Sequence, residues 1–201
     1  MKVLYITEIY PDVKHGLGVW GGGEKQFYEI SRFAAKHGHE VTVLTCRFPG
    51  QASEEVMEGV RIFRQGLSRD PATGGARRVV LPVLHYILAT TERAMRLNPD
   101  IIHCNTYFPV YSGMTATQFL NVPLVATFHD IYRLNDWIES QKSILWGLLG
   151  HTATTVAAKL PCDRIIAVSP QCKQKLIALG VSDEKITVVP NGIDLQLFDT
   201  T

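Results

Sequence analysis

Three glycines closed by an acid, Gly21-Gly22-Gly23-Glu24, stand where a helical pattern opens, and that combination can hold an anion. Glycines bring no Cβ atoms between backbone and ligand, and the first N–H groups of a helix lack intrahelical partners at the positive end of its dipole. A diphosphate fits such a cradle; the plainer alternative is a tight turn with Glu24 as an ordinary first-turn acid. A second candidate, His129, follows the apolar run Leu124-Val125-Ala126-Thr127. That places it at the carboxyl edge of a strand, where ligands of α/β sheets gather, although a histidine merely hydrogen-bonded at a strand end would look the same. Asp130 either orients this imidazole or caps the turn that follows. His103 also ends an apolar run and reads first as a structural histidine, while Asn105 and Tyr107 share its edge. Ser169 before Pro170 reads as a helix N-cap rather than a substrate contact.

Gly16-Leu17-Gly18-Val19-Trp20-Gly21 spells the dinucleotide fingerprint G-x-G-x-x-G. Its context is wrong for a nicotinamide or flavin site. The glycines should follow the first strand at once, and an acid should end the second strand to take a ribose hydroxyl. Here about eight residues intervene, and the second strand ends Cys46-Arg47. An oxidoreductase is therefore a lesser alternative.

The elements that must position these residues follow a regular plan. Short β-branched runs at 3–7, 41–46, 60–63, 101–104, 124–127, 165–168 and 186–188 alternate with stretches of helical period. Several are apolar at nearly every position, as in parallel strands covered on both faces, so the expected fold is α/β, a Rossmann-like, doubly wound and mostly parallel sheet. Phe27, Ile30, Phe33 and Ala34 predict a first helix over 22–37, stopped by Gly38. The segment 64–78, with Gly66, Pro71, Gly74 and Gly75 among charges, predicts an exposed loop, and Trp137, Ile138, Ile144, Leu145, Trp146, Leu148 and Leu149 predict packing between helices.

Composition narrows the classes. The 201 residues are 46% hydrophobic and 19% charged, the usual range for one globular domain, and a formal net charge of +1 offers no global field to hold nucleic acid. No apolar run reaches the roughly 20 residues of a spanning helix, and the start is too short for a signal peptide, so the expectation is a cytoplasmic protein. The four cysteines, Cys46, Cys104, Cys162 and Cys172, are too scattered for a zinc site and read as buried free thiols.

Taken together, Gly21-Gly22-Gly23-Glu24, Asp100-Ile101-Ile102-His103, Thr127-Phe128-His129-Asp130, Ala167-Val168-Ser169 and Val189-Pro190-Asn191-Gly192-Ile193-Asp194 resemble glycosyltransferase family 4 over essentially the whole chain. The resemblance implies the amino-terminal half of a GT-B fold. Residues 1–189 would form the Rossmann-like acceptor-side domain, and 190–201 would begin the linker to a second, donor-nucleotide-binding domain whose paired glutamates and Arg and Lys have no counterpart here. It further implies a retaining glycosyltransferase that uses a nucleotide sugar as substrate, with no cofactor and no metal. Gly22 and Gly23 would meet the donor diphosphate, and His129 the transferred sugar. Glu24, His103, Asn105, Tyr107 and Asp130 are second-tier or acceptor-side candidates. So are Lys14, His15 and Trp20, because the loop 11–20 is long for a βα connection and is expected to cover the acceptor. The acceptor itself is open among a sugar, a lipid-linked sugar and a small alcohol, and with it peripheral contact at the inner membrane surface. A chain of this kind alone should be close to inactive. The alternatives are a non-catalytic α/β binding module and another GT-B enzyme such as a sugar-nucleotide epimerase.

Overall fold

The computed structural model describes residues 1–12, 21–67 and 76–192. In chain order the elements are β1 (Lys2–Ile6), α1 (Gly22–Lys36), β2 (Glu40–Cys46), β3 (Glu54–Met57), β4 (Val60–Gln65), α2 (Ala76–Leu97), β5 (Ile101–Asn105), α3 (Phe108–Leu120), β6 (Leu124–Phe128), α4 (Leu134–Gln141), α5 (Ile144–Lys159), β7 (Arg164–Ala167), α6 (Pro170–Ala178) and β8 (Ile186–Val188). The described strands form one sheet in the order β3-β4-β2-β1-β5-β6-β7-β8. Every pair is parallel except β3 with β4. Strand β1 lies inside it, with Val3 in register with Val41 on one side and Ile101 on the other.

Side chains that alternate across β1 divide the core. Leu4 and Ile6 join a cluster with Tyr86 of α2, Val110 of α3 and Leu176 of α6, while Val3 and Tyr5 join Phe27 and Tyr28 of α1. Both faces of this strand are buried, which is why it reads as a continuous apolar run. The seven expected strands are present within a residue or two at their ends. Helix α1 closes one residue earlier than expected, at Lys36, with Gly38 in the left-handed region at φ +83°. Ser169 caps α6 as expected, its Oγ accepting from Cys172 N at 3.1 Å.

Three expectations need correction. Strand β3 was not anticipated, because Glu54-Glu55-Val56-Met57 is half charged; it is an antiparallel edge strand turned back through Glu58 (φ 51°) and Gly59 (φ 82°). The supposed loop 64–78 is shorter at both ends, since Arg64 and Gln65 continue β4 and Ala76 opens α2, while 68–75 lies outside the described residues. Arg64 is buried, and its charge is met by Glu55 Oε1 at 2.5 Å across the hairpin. The apolar group at 137–149 packs between helices only in part. Trp137 and Ile138 of α4 seat against Gly150 and Gly147 of α5, but Ile144, Leu145, Leu148 and Leu149 face outward. The inner side of α5 carries small residues, Gly147, Thr154, Ala157 and Ala158, which draws its neighbours close and leaves the large side chains outside.

All four cysteines are buried free thiols. No described helix is long and apolar enough to cross a membrane.

Candidate active site

The carboxyl ends of β1, β5, β6 and β7 surround a hollow of about 520 Å³. Its floor is tied to the core. Thr7, the first residue beyond β1, donates its N–H to Leu44 O at 3.0 Å and accepts from buried Tyr86 Oη on its carbonyl at 2.8 Å. Asn105 at the tip of β5 donates Nδ2 to Thr7 Oγ1 at 3.2 Å, and Thr106 Oγ1 donates to Asn105 Oδ1 at 2.8 Å. Neighbouring strand ends are thus locked by side chains where the ladder stops.

Each residue of the glycine run answers a different constraint. A Cβ on Gly21 would stand 2.3 Å from Glu24 Oε2, so Gly21 makes room for the acid that folds back over the start of α1. A Cβ on Gly23 would stand 2.9 Å from His129 Cδ2 and 3.0 Å from Nε2, so Gly23 makes room for the imidazole. Gly22 has nothing within 4 Å of that position and lies open on the hollow. Here the first turn of a 15-residue helix meets the cavity, and at Gly22 no neighbouring side chain stands in the way.

His129 follows β6 and lies against Gly23, so the glycine run and the histidine face one hollow. Burial pushes its pKa below the ordinary value, which keeps the ring neutral at pH 7, and its Nε2 is buried without a hydrogen-bond partner. The backbone on either side is clamped. Phe128 O accepts from Val168 N (3.2 Å) and from Cys172 Sγ (3.3 Å), and Asp130 O accepts from Tyr107 Oη (2.8 Å). Asp130 does not orient the imidazole: its Oδ1 accepts from Lys175 Nζ at 2.6 Å and Ile131 N at 2.7 Å.

Other candidates divide by depth. Asn105, Tyr107 and Glu24 line the hollow. His103 does not; it takes the structural place read first for it, rather than the second-tier site role. It sits one pleat repeat below the rim, its ring against those of Tyr5 and Phe27 and its Nε2 sharing a 2.8 Å hydrogen bond with Thr127 Oγ1. Desolvation there pushes its pKa down to about 4. Lys14, His15 and Trp20 lie outside the described residues. Sequence reasoning missed Thr7, Glu8, Thr106, Tyr132, Val168 and, as a lining residue, Asn191. The first residue beyond each inner strand was the signal that would have found Thr7, Thr106 and Val168.

The Glycosyltransferase Family 4 profile matches residues 20–197. This chain belongs to that family. Among curated relatives of the family, a glycogen synthase from Mycobacterium tuberculosis is 27% identical over 96% of this chain and 49% of its own length. A D-inositol 3-phosphate glycosyltransferase from Kineococcus radiotolerans is 26% identical over 94% and 44%. The chain therefore spans about half the length of the curated relatives it matches. Among solved structures, sucrose-phosphate synthase from Thermosynechococcus elongatus superposes with a TM-score of 0.71 at 15% identity, over 98% of this chain and 50% of that one. Anabaena HepE in complex with UDP-glucose gives 0.63 at 17%, over 100% and 46%. The family 4 chain thus has the Rossmann-like sheet seen in the matching half of those structures.

Proposed function

We propose that this chain is the acceptor-side half of a retaining glycosyltransferase that moves a sugar from a nucleotide sugar to an acceptor hydroxyl, its cleft being completed by a second, nucleotide-binding domain. The observation that carries the reading is the meeting of the open helix start at Gly22 with the His129 imidazole, whose buried Nε2 has no hydrogen-bond partner, in one hollow. Bound UDP-glucose in the similar Anabaena structure supports a nucleotide sugar as the donor.

Transfer breaks the anomeric C–O bond while negative charge builds on the departing diphosphate. In this reading the amides at Gly22 and Gly23 are aimed at that charge before it develops, so little reorganisation is needed. The larger cationic share belongs to the second domain. His129, kept uncharged by burial, offers one hydrogen bond to the transferred sugar without competing for the phosphate as a cation. The nucleotide sugar enters as substrate, and the proposal calls on no metal or resident cofactor. A cytoplasmic setting and peripheral membrane contact belong to the same proposal; the outward Ile144, Leu145, Leu148 and Leu149 are the surface that would make such contact.

UDP followed by phosphorus NMR tests the cradle. The wild-type chain is expected to bind UDP weakly and Gly22→Ala at least fivefold more weakly, with an unchanged or higher thermal midpoint because alanine suits a helix better than glycine. No UDP binding by the wild type, or equal binding by both, overturns the reading.

A further inference from the structure

Resting on that reading, we infer that Lys175 and Tyr107 are positioning residues of the transfer site: by holding Asp130 from two sides they keep the His129 imidazole seated against Gly23.

His129 stands where the sheet stops holding the chain. The main-chain bonds that close the ladder on its two flanks run from Thr106 N to Thr127 O at 2.9 Å and from Val168 N to Phe128 O at 3.2 Å, and β6 ends at Phe128. Beyond that point two elements take over. From α6, Cys172 Sγ donates to Phe128 O at 3.3 Å and Lys175 Nζ donates to Asp130 Oδ1 at 2.6 Å. These side chains are three positions apart, hence on one face of the helix, and they grip the residues before and after His129. From the tip of β5, the Tyr107 ring packs edge-on to that of Phe128 with centroids 6.3 Å apart, and its hydroxyl donates to Asp130 O at 2.8 Å. Both holds straddle the histidine. None of these bonds involves its ring, which packs on Gly23.

Two observations assign this hold to placement more than to stability. Thr106 (φ 32°) and Tyr107 (φ 49°, ψ −107°) are consecutive non-glycine residues at positive φ. Such conformations persist only where the surroundings impose them, and they gather at functional sites. The Lys175 and Asp130 side chains are 40% and 43% exposed, and an ion pair in that setting adds little to stability. It does fix a direction: the same Oδ1 also accepts from Ile131 N at 2.7 Å, which ties the carboxylate to the main chain that carries His129. The seat itself has no slack, since even a Cβ on Gly23 would stand 2.9 Å from the ring, so a shift of residues 128–130 moves the imidazole relative to the diphosphate cradle.

Nuclear magnetic resonance of the His129 ring in the intact chain tests this. In Lys175→Met and in Tyr107→Phe the ring nitrogen and proton signals are expected to move and the ring contact with the Gly23 amide to be lost. Lys175→Arg, which keeps a cation for Asp130, restores the wild-type signals. Tyr107→Phe removes no charge, so a movement there reports position rather than field. UDP-glucose, whose sugar faces His129 in this reading, should bind both variants about threefold more weakly or worse, with UDP itself changed less than about twofold. A purely stabilising role would lower the thermal midpoint and leave these signals in place. Unmoved ring signals in either Lys175→Met or Tyr107→Phe, or signals displaced as far in Lys175→Arg, overturn the inference. So does equal weakening of UDP and UDP-glucose, which puts the effect at the cradle rather than at the histidine. If the wild-type chain binds neither nucleotide, the donor reading falls, while the ring signals still decide whether these two residues place His129.

Discussion

Gly21, Gly22 and Gly23 share a residue type but not a constraint: one yields to a carboxylate, one to an imidazole, and the middle one to whatever enters the hollow. Gly22, Gly23 and His129 were legible in the sequence because a helix start and a strand end are both local patterns. Lys175 was not, since its bond to Asp130 joins positions 45 residues apart with no local mark. His103 was half legible. Its strand could be read, but not that it lies two residues short of the rim, about 6.6 Å down the strand and beneath α1. Its depressed pKa carries a stability prediction. Near neutral pH the ring is uncharged in both folded and unfolded chains; below 6.5 the unfolded chain takes up the proton first, so stability is lost as the pH falls toward about 4. Urea unfolding should show about 2 kcal/mol less stability at pH 5 than at pH 7 from this group. His103→Gln, which keeps a polar partner for Thr127, should shrink that difference, and an undiminished difference would refute the assignment.

Parallel strands announced themselves as apolar runs, whereas β3 was hidden by the charges that suit an exposed edge. The pair α4 and α5 was misjudged for another reason. Apolar content told that helices would pack, but which side packs was decided by the small residues at 147 and 150, where α4 comes closest. A Cβ on Gly147 would stand 2.7 Å from Ile138 Cα and 2.9 Å from its N, main-chain atoms that cannot rotate aside. Gly147→Ala should therefore destabilise by about 1–3 kcal/mol, overriding the gain of about 1 kcal/mol in helix propensity. A thermal scan checks this, and an unchanged or raised midpoint would mean the helices can separate at no cost.

On the proposed reading, the whole molecule presents half a cleft. Its matched relatives are about twice as long, and the hollow is lined by strand tips and the start of α1. The chain alone, offered common nucleotide sugars and acceptors, should turn over far below the enzyme scale of about 1 per second. Turnover at that scale would show that the hollow needs no second domain. Sheet order carries a further consequence. Strand β1 precedes both of its neighbours in the chain, β2 near residue 40 and β5 near residue 101, and Lys2 N is bonded to Asp100. During synthesis β1 therefore keeps one edge unpaired until β5 has also been made, and an apolar strand that must await so distant a partner folds late and is exposed to wrong pairings in the interval.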